Sequence, residues 1–187
     1  MPTARESLLD AALRAVTRRP WQLVRMVEVA AGAGVSRQTL YNEFGDKAGL
    51  GAALATRQVT AFLDGFSARL AAGATLTEAC AWLGKAAEED PLVRAALTGC
   101  HCRGLPPATR QPGELVAELT GRARHALPER STPECETAIR LALSLLVAPP
   151  PDGPDPDASG PDASSPDASD PDASDPSESR RSPAAPR

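Results

Sequence analysis

Val24-Arg-Met-Val-Glu-Val-Ala-Ala-Gly-Ala-Gly-Val-Ser-Arg-Gln-Thr-Leu-Tyr-Asn-Glu-Phe-Gly-Asp-Lys47 is the stretch whose reading decides the fold. Val24, Val27, Ala30 and Ala31 recur at the i, i+3 spacing of one buried helical face. Gly32-Ala33-Gly34 follows, and glycine tolerates the positive φ needed to turn sharply out of a helix. Ser36 then stands where an N-cap belongs, its hydroxyl able to accept from the free amides of the next turn. Behind it Leu40 and Phe44 repeat at i, i+4 and face a core, leaving Arg37, Gln38, Thr39, Tyr41 and Asn42 outward. Two short helices, a glycine turn and a polar outer face make a helix-turn-helix.

The outward side chains suit nucleic acid. Arginine pairs with a guanine edge through two hydrogen bonds, and Gln or Asn does the same with adenine. Hydroxyls and lysine suit phosphate oxygens. Asp46 reads as the cap of the following helix, which places Lys47 at a helix N-terminus, where free amides also favour a phosphate. The expected DNA-binding residues are Ser36, Arg37, Gln38, Thr39, Tyr41, Asn42 and Lys47.

The run from Gly34 to Lys47, with Gly-Val-Ser at the turn, then Leu40-Tyr41, Phe44, Lys47 and Leu50, resembles the signature of the TetR family of bacterial transcriptional repressors. It departs from that pattern at Glu43, where many relatives carry a His or Tyr that touches the DNA backbone. The resemblance extends from about Glu6 to Leu54 and fades beyond. It implies a ligand-responsive repressor that binds a palindromic operator on double-stranded DNA as a homodimer. It also implies a ninth helix that pairs with the eighth across the dimer interface, and none follows here. That predicts a weak or differently built dimer, with helix seven or six standing in for the missing partner. The alternative reading is a nonspecific DNA-associated or protein-interaction module that has lost ligand sensing.

Working outward, the chain divides into three parts: a DNA-binding domain (1–47), a helical effector-binding and dimerisation domain (48–148) and a tail (149–187). A body of 148 residues buries ~68% of its unfolded surface, enough for a real core. The net charge of −4 argues against nucleic acid until its distribution is seen. Up to Arg57 there are eight basic and five acidic residues, a balance of +3. From Pro149 onward there are nine acidic and three basic, a balance of −6. In that tail Pro-Asp-Ala-Ser begins at 156, 161, 166 and 171, and no Val, Ile, Leu or aromatic residue occurs after Val147. Such a segment buries too little apolar surface to offset its ordering entropy, so it is expected to be disordered.

The body reads as all-α. A first helix runs from Ala4 to Arg18, and Trp21 and Leu23 are expected to pack the joint to the motif. A long fourth helix runs from Asp46 to about Ala72 with Leu50, Leu54, Phe62, Phe66 and Leu70 inside; Gly49, Gly51 and Gly65 should each weaken it by ~1 kcal/mol relative to Ala. Thr75-Leu-Thr-Glu78 is a capping box, Asp90-Pro91 opens a sixth helix that Gly99 ends, Pro112 opens a seventh and Thr132-Pro133 an eighth. The eighth carries Cys135, Ile139, Ala142, Leu143 and Leu146 on one side.

Other chemistries find little support. Two histidines, 24 residues apart, with no serine or cysteine in a strained elbow, offer no catalytic constellation, so no enzyme and no cofactor are expected. Cys100-His101-Cys102 lacks the Cys-x2–4-Cys spacing of a tetrahedral zinc site; it reads as a loop with incidental thiols, with a redox or metal sensor as the alternative, and no metal is expected. His125 near a helix end reads as structural. Met1 to Asp10 has no apolar run of a signal peptide, and no stretch approaches the ~20 residues of a membrane span, so a cytoplasmic protein with reduced thiols is expected. The resemblance places an inducer pocket among helices five to seven. There Trp82, Leu92, Leu97, Leu115 and Leu119 are the candidate lining for a small apolar or amphipathic effector, with core packing as the simpler reading.

Overall fold

Thr3 and Glu6 satisfy each other's backbone amides in a reciprocal cap, and the first helix of the chain starts from that pair. A computed structural model describes residues 2–100 and 104–148. Among them the architecture is all-helical, with no strand. The helices are α1 (Ala4–Val16), α2 (Met26–Ala33), α3 (Arg37–Phe44), α4 (Lys47–Ala71), α5 (Leu76–Glu89), α6 (Pro91–Thr98), α7 (Pro112–Ala126) and α8 (Thr132–Val147), with a single 3₁₀ turn at Trp21–Leu23. The expected tail, and His101 and Cys102, lie outside the described residues.

Local chemistry sets most boundaries. Thr75 with Glu78 and Ser131 with Glu134 repeat the reciprocal cap at α5 and α8. The Asp90 carboxylate accepts from the amides of Leu92 and Val93, Pro91 occupies the first turn of α6, and Gly99 ends it at φ 68°. The α8 cap is Ser131, one residue before the expected opening.

Two apolar cores are strung on α4. The first gathers Leu8, Leu9, Ala12, Trp21, Val24, Val29, Leu40 and Phe44 with Leu50 and Leu54 from the start of α4 and Leu92 from α6. The second gathers Phe62, Leu63, Phe66 and Leu70 from the rest of α4 with Leu83, Val93, Leu97, Leu115, Leu119, Ile139 and Leu143.

Several expectations change in this fold. Helix α2 starts at Met26, so Val24 packs from the segment before it and Val27 is 45% exposed; the buried face is Val29 and Ala30. Phasing from Met26 rather than Val24 rotates the helix, and Ala31 also turns to solvent. The turn is shorter than Gly32-Ala33-Gly34: Gly32 is helical, and only Gly34, at φ 69°, takes the left-handed conformation. Trp21 fills the joint as expected, but Leu23 points to solvent at 63% exposure. Arg18 falls outside α1, which ends at Val16.

The glycines of α4 are not merely weak points. A Cβ at Gly65 would stand 2.6 Å from the Trp82 ring, and one at Gly51 would stand 3.0 Å from Trp21. Trp82 lies against that bare backbone, stacked on Phe62 at 5.6 Å, with the Arg69 guanidinium 4.7 Å from its ring centre. The helix propensity lost at Gly65 is exchanged for the close approach of α5.

A polar network ties α4 to α7. Arg122 donates to Asp64 at 2.9 Å, to Ser67 at 3.1 Å and to Glu118 at 2.8 Å, while Arg110 donates to the other Glu118 oxygen at 2.6 Å. The Arg110 hydrogen bond, seconded by Arg122, holds the Glu118 carboxyl below the ordinary glutamate range. Glu6, Glu78 and Glu134 are lowered by the amides and then the hydroxyls they cap. Each of these groups binds its proton less readily folded than unfolded. Their stabilisation is therefore complete above the ordinary glutamate range and is lost as pH falls through the lower folded values. Melting temperature should fall from neutral pH toward pH ~3, and Glu118→Gln should flatten part of that fall. A Glu118→Gln curve parallel to the wild-type one would refute the assignment.

Candidate nucleic-acid interface

Helix α3 is held by its two apolar side chains. Leu40 is fully buried and Phe44 is 9% exposed, both in the first core, so the opposite face has one permitted orientation. The Ser36 hydroxyl accepts from the Thr39 amide at 3.0 Å and lies 2.8 Å from the Thr39 hydroxyl, which stiffens the first turn. On the outward face Arg37, Gln38, Tyr41 and Asn42 are exposed. The Gln38 side-chain amide donates to the Asn42 carbonyl at 2.8 Å, an i, i+4 pair that orients both amides together. One Gln38 N–H and its carbonyl remain available for a base edge. Among the described residues the Arg37 side chain makes no ion pair and no hydrogen bond, which leaves its guanidinium open to a ligand.

Lys47 sits differently from a free phosphate clamp. Its ammonium donates to the Gln22 carbonyl at 2.9 Å and lies 5.4 Å from the centre of the Trp21 ring. Asp46 caps α4 through the Gly49 amide at 2.7 Å. The lysine is thus a positioned cation beside a helix N-terminus, with donors to spare for an anion.

Two cations outside the expected set, Arg5 and Arg25, belong to this part of the fold. Arg5, from α1, donates to the Glu43 carbonyl at 3.1 Å, meets the Glu43 carboxylate at 3.5 Å and stacks 4.6 Å from the Phe44 ring centre. It braces the end of α3 and offsets the charge of Glu43, where the chain departs from the signature. No spacing rule links positions 38 residues apart. Arg25, exposed immediately before α2, has no carboxylate partner among the described residues; its signal was a basic residue inside the stretch Val24–Lys47. By contrast Arg19 is committed to Glu28, Arg57 to Asp10, and Arg14 to the Gly32 carbonyl.

The five effector candidates are not gathered in one place. Leu97, Leu115 and Leu119 lie inside the second core, Trp82 packs at its edge, and Leu92 belongs to the first core. Among the described residues no group of three or more His, Cys, Asp or Glu could hold a metal ion, and no helix is long and apolar enough to cross a membrane.

Residues 8–54 match the family model described as bacterial regulatory proteins, tetR family. The chain is 31% identical over 161 residues to the HTH-type transcriptional regulator AlkX of Mycobacterium tuberculosis, spanning 78% of this chain and 76% of that protein. Among solved structures it is similar to the TetR family repressor AlkX from Dietzia sp. strain DQ12-45-1b, described as implicated in biodegradation of n-alkanes. That likeness has a TM-score of 0.51 at 25% identity, covering 80% of this chain and 86% of the other.

Proposed function

The chain belongs to the TetR family of bacterial regulatory proteins and is a DNA-binding transcriptional regulator, and we propose that it acts as a ligand-responsive repressor that binds a palindromic operator as a dimer. One observation carries the reading: Leu40 and Phe44 pin α3 from behind while Arg37, Gln38, Tyr41 and Asn42 face outward on a capped, rigid turn. A recognition helix needs that combination, because base discrimination requires side chains presented from a fixed backbone. Arg37, Gln38 and Asn42 read base edges; Ser36, Thr39, Tyr41 and Lys47 hold phosphates. The role is regulatory rather than catalytic.

The effector is a small apolar or amphipathic molecule. The n-alkane connection of the Dietzia relative supports this. A ligand that binds better to one arrangement of the helices than to another shifts the spacing of the two recognition helices, and with it operator affinity.

Binding-site selection with the purified chain, followed by gel retardation, tests the proposal. Arg37→Ala and Gln38→Ala should each cost ~1–3 kcal/mol on the selected operator and relax its base preference. Lys47→Ala should weaken operator and random DNA about equally and lower the salt slope, since a phosphate contact carries no sequence information. If all three variants stay folded and retard the operator like the wild type, the assignment fails.

A further inference from the structure

Val27 is an apolar, β-branched side chain left 45% exposed on the first turn of α2. The neighbours of that helix fix where it stands. Glu28 pairs with Arg19, the Gly32 carbonyl accepts from Arg14 at 3.3 Å, and a Cβ at Gly32 would lie 3.6 Å from the Ala11 Cβ. The Glu28–Gly32 edge therefore belongs to α1. Met26, Val29, Ala30 and Ala33 pack into or against the first core. Successive residues advance by about 100° around a helix, which puts Val27 and Ala31 together on the edge away from α1. Helix α2 packs against α1 and α3, so that edge borders the recognition helix. Both residues are exposed there, and neither side chain carries a polar group.

We propose that Val27 is itself a base-reading residue, whose methyl groups meet the C5-methyl of a thymine on the wall of the groove that α3 enters. The chemistry of the groove selects that partner. Base edges in the major groove present hydrogen-bond donors and acceptors and a single apolar group, the thymine methyl. In a helix-turn-helix the first helix of the motif crosses the backbone above the groove, so the edge of α2 that borders α3 is where the groove wall passes. Cations for the phosphates stand beside it. Arg25 is exposed at the start of the same turn, and Lys47 is held at the Gln22 carbonyl, 2.9 Å away and three residues earlier in the chain. The edge also keeps its place relative to α3, because the Val35 amide donates to the Ala30 carbonyl at 3.1 Å across the turn. A valine in a helix has one strongly preferred rotamer, so its methyls are presented from a fixed position at little cost in entropy. Arg37, Gln38 and Asn42 discriminate by hydrogen bonds; Val27 discriminates by a methyl group. One T·A pair in each half-site is thereby preferred over any pair that lacks a methyl at that point.

Such a contact rests on the operator-binding reading above, and one experiment separates the two. The probe is the duplex that the full chain selects from a random pool. Replacing its thymines one at a time by uracil removes a methyl and leaves every hydrogen-bonding group in place. One thymine in each half-site should then cost the wild-type chain about fourfold in gel retardation, the value of one buried methyl. Val27→Ala, verified as folded by circular dichroism, should bind the thymine duplex at least as weakly as wild type binds the uracil one, and should not distinguish the two. Lys47→Ala, which loses a phosphate contact, should still distinguish them. Three results overturn the proposal while leaving the repressor reading intact. The first is a selected operator in which no thymine responds to uracil. The second is a responsive thymine that Val27→Ala still distinguishes from uracil. The third is a Val27→Ala loss of equal size on operator and random DNA, the mark of a sugar contact. A pool that yields no preferred sequence fails both readings together.

Discussion

Leu40→Ala should abolish operator retardation and lower stability by about 2–5 kcal/mol. Leu40 has no exposed surface, and with Phe44 it anchors α3 in the first core, which also holds Leu8, Val29 and Leu50. Truncation removes its transfer free energy and leaves a cavity that a three-helix unit can close only by moving α3. That movement is what DNA binding cannot tolerate, because Arg37, Gln38 and Asn42 all ride on the same eight-residue helix. The loss should therefore exceed that of any single outward substitution, although Leu40 touches no DNA. Retardation of the selected operator, measured at a temperature where circular dichroism shows the variant folded, is the check. Normal binding by a folded Leu40→Ala protein would mean that α3 is not positioned through this residue.

Phe66→Ala should cost about 3–5 kcal/mol, the largest stability loss of any substitution considered. Phe66 is the bulkiest fully buried side chain, and it sits on α4 in the second core. For a domain whose whole stability is of order 5–15 kcal/mol, that loss removes much of the margin. The variant also tests how the two cores communicate. Helix α4 runs unbroken through 25 residues, placing Leu50 and Leu54 in the first core and Phe62, Leu63, Phe66 and Leu70 in the second. Leu92 from α6 adds a second link, through its place in the first core. Phe66→Ala and Leu40→Ala should each lower the midpoint of one common melting transition. Two separate transitions in either variant would show that α4 does not couple the cores.

The helix-turn-helix and the punctuation of the body were legible in the sequence because they are local. An N-cap at Ser36, a capping box at Thr75–Glu78 and a left-handed glycine at Gly34 or Gly99 each depend on atoms within about one helical turn. The core positions of α4 followed from periodicity alone, since 3.6 residues per turn phases them all once one is known. Where the helix start was misplaced, at α2, the same phasing put Val27 inside instead of outside.

What only the tertiary structure decided involves residues far apart in sequence. No local rule brings Arg5 to Glu43, Lys47 to the Gln22 carbonyl, or Trp82 onto the bare backbone of Gly65. Apolar positions on α5 to α7 could be recognised as buried, but whether they fill a core or line a cavity depends on how closely neighbouring helices approach. Packing sent Leu97, Leu115 and Leu119 into the second core and Leu92 into the first. It also left Leu141 and Leu145 uncovered beside the small residues of α5. Helical period tells which residues share a face; only the arrangement of the other helices tells which faces are already occupied.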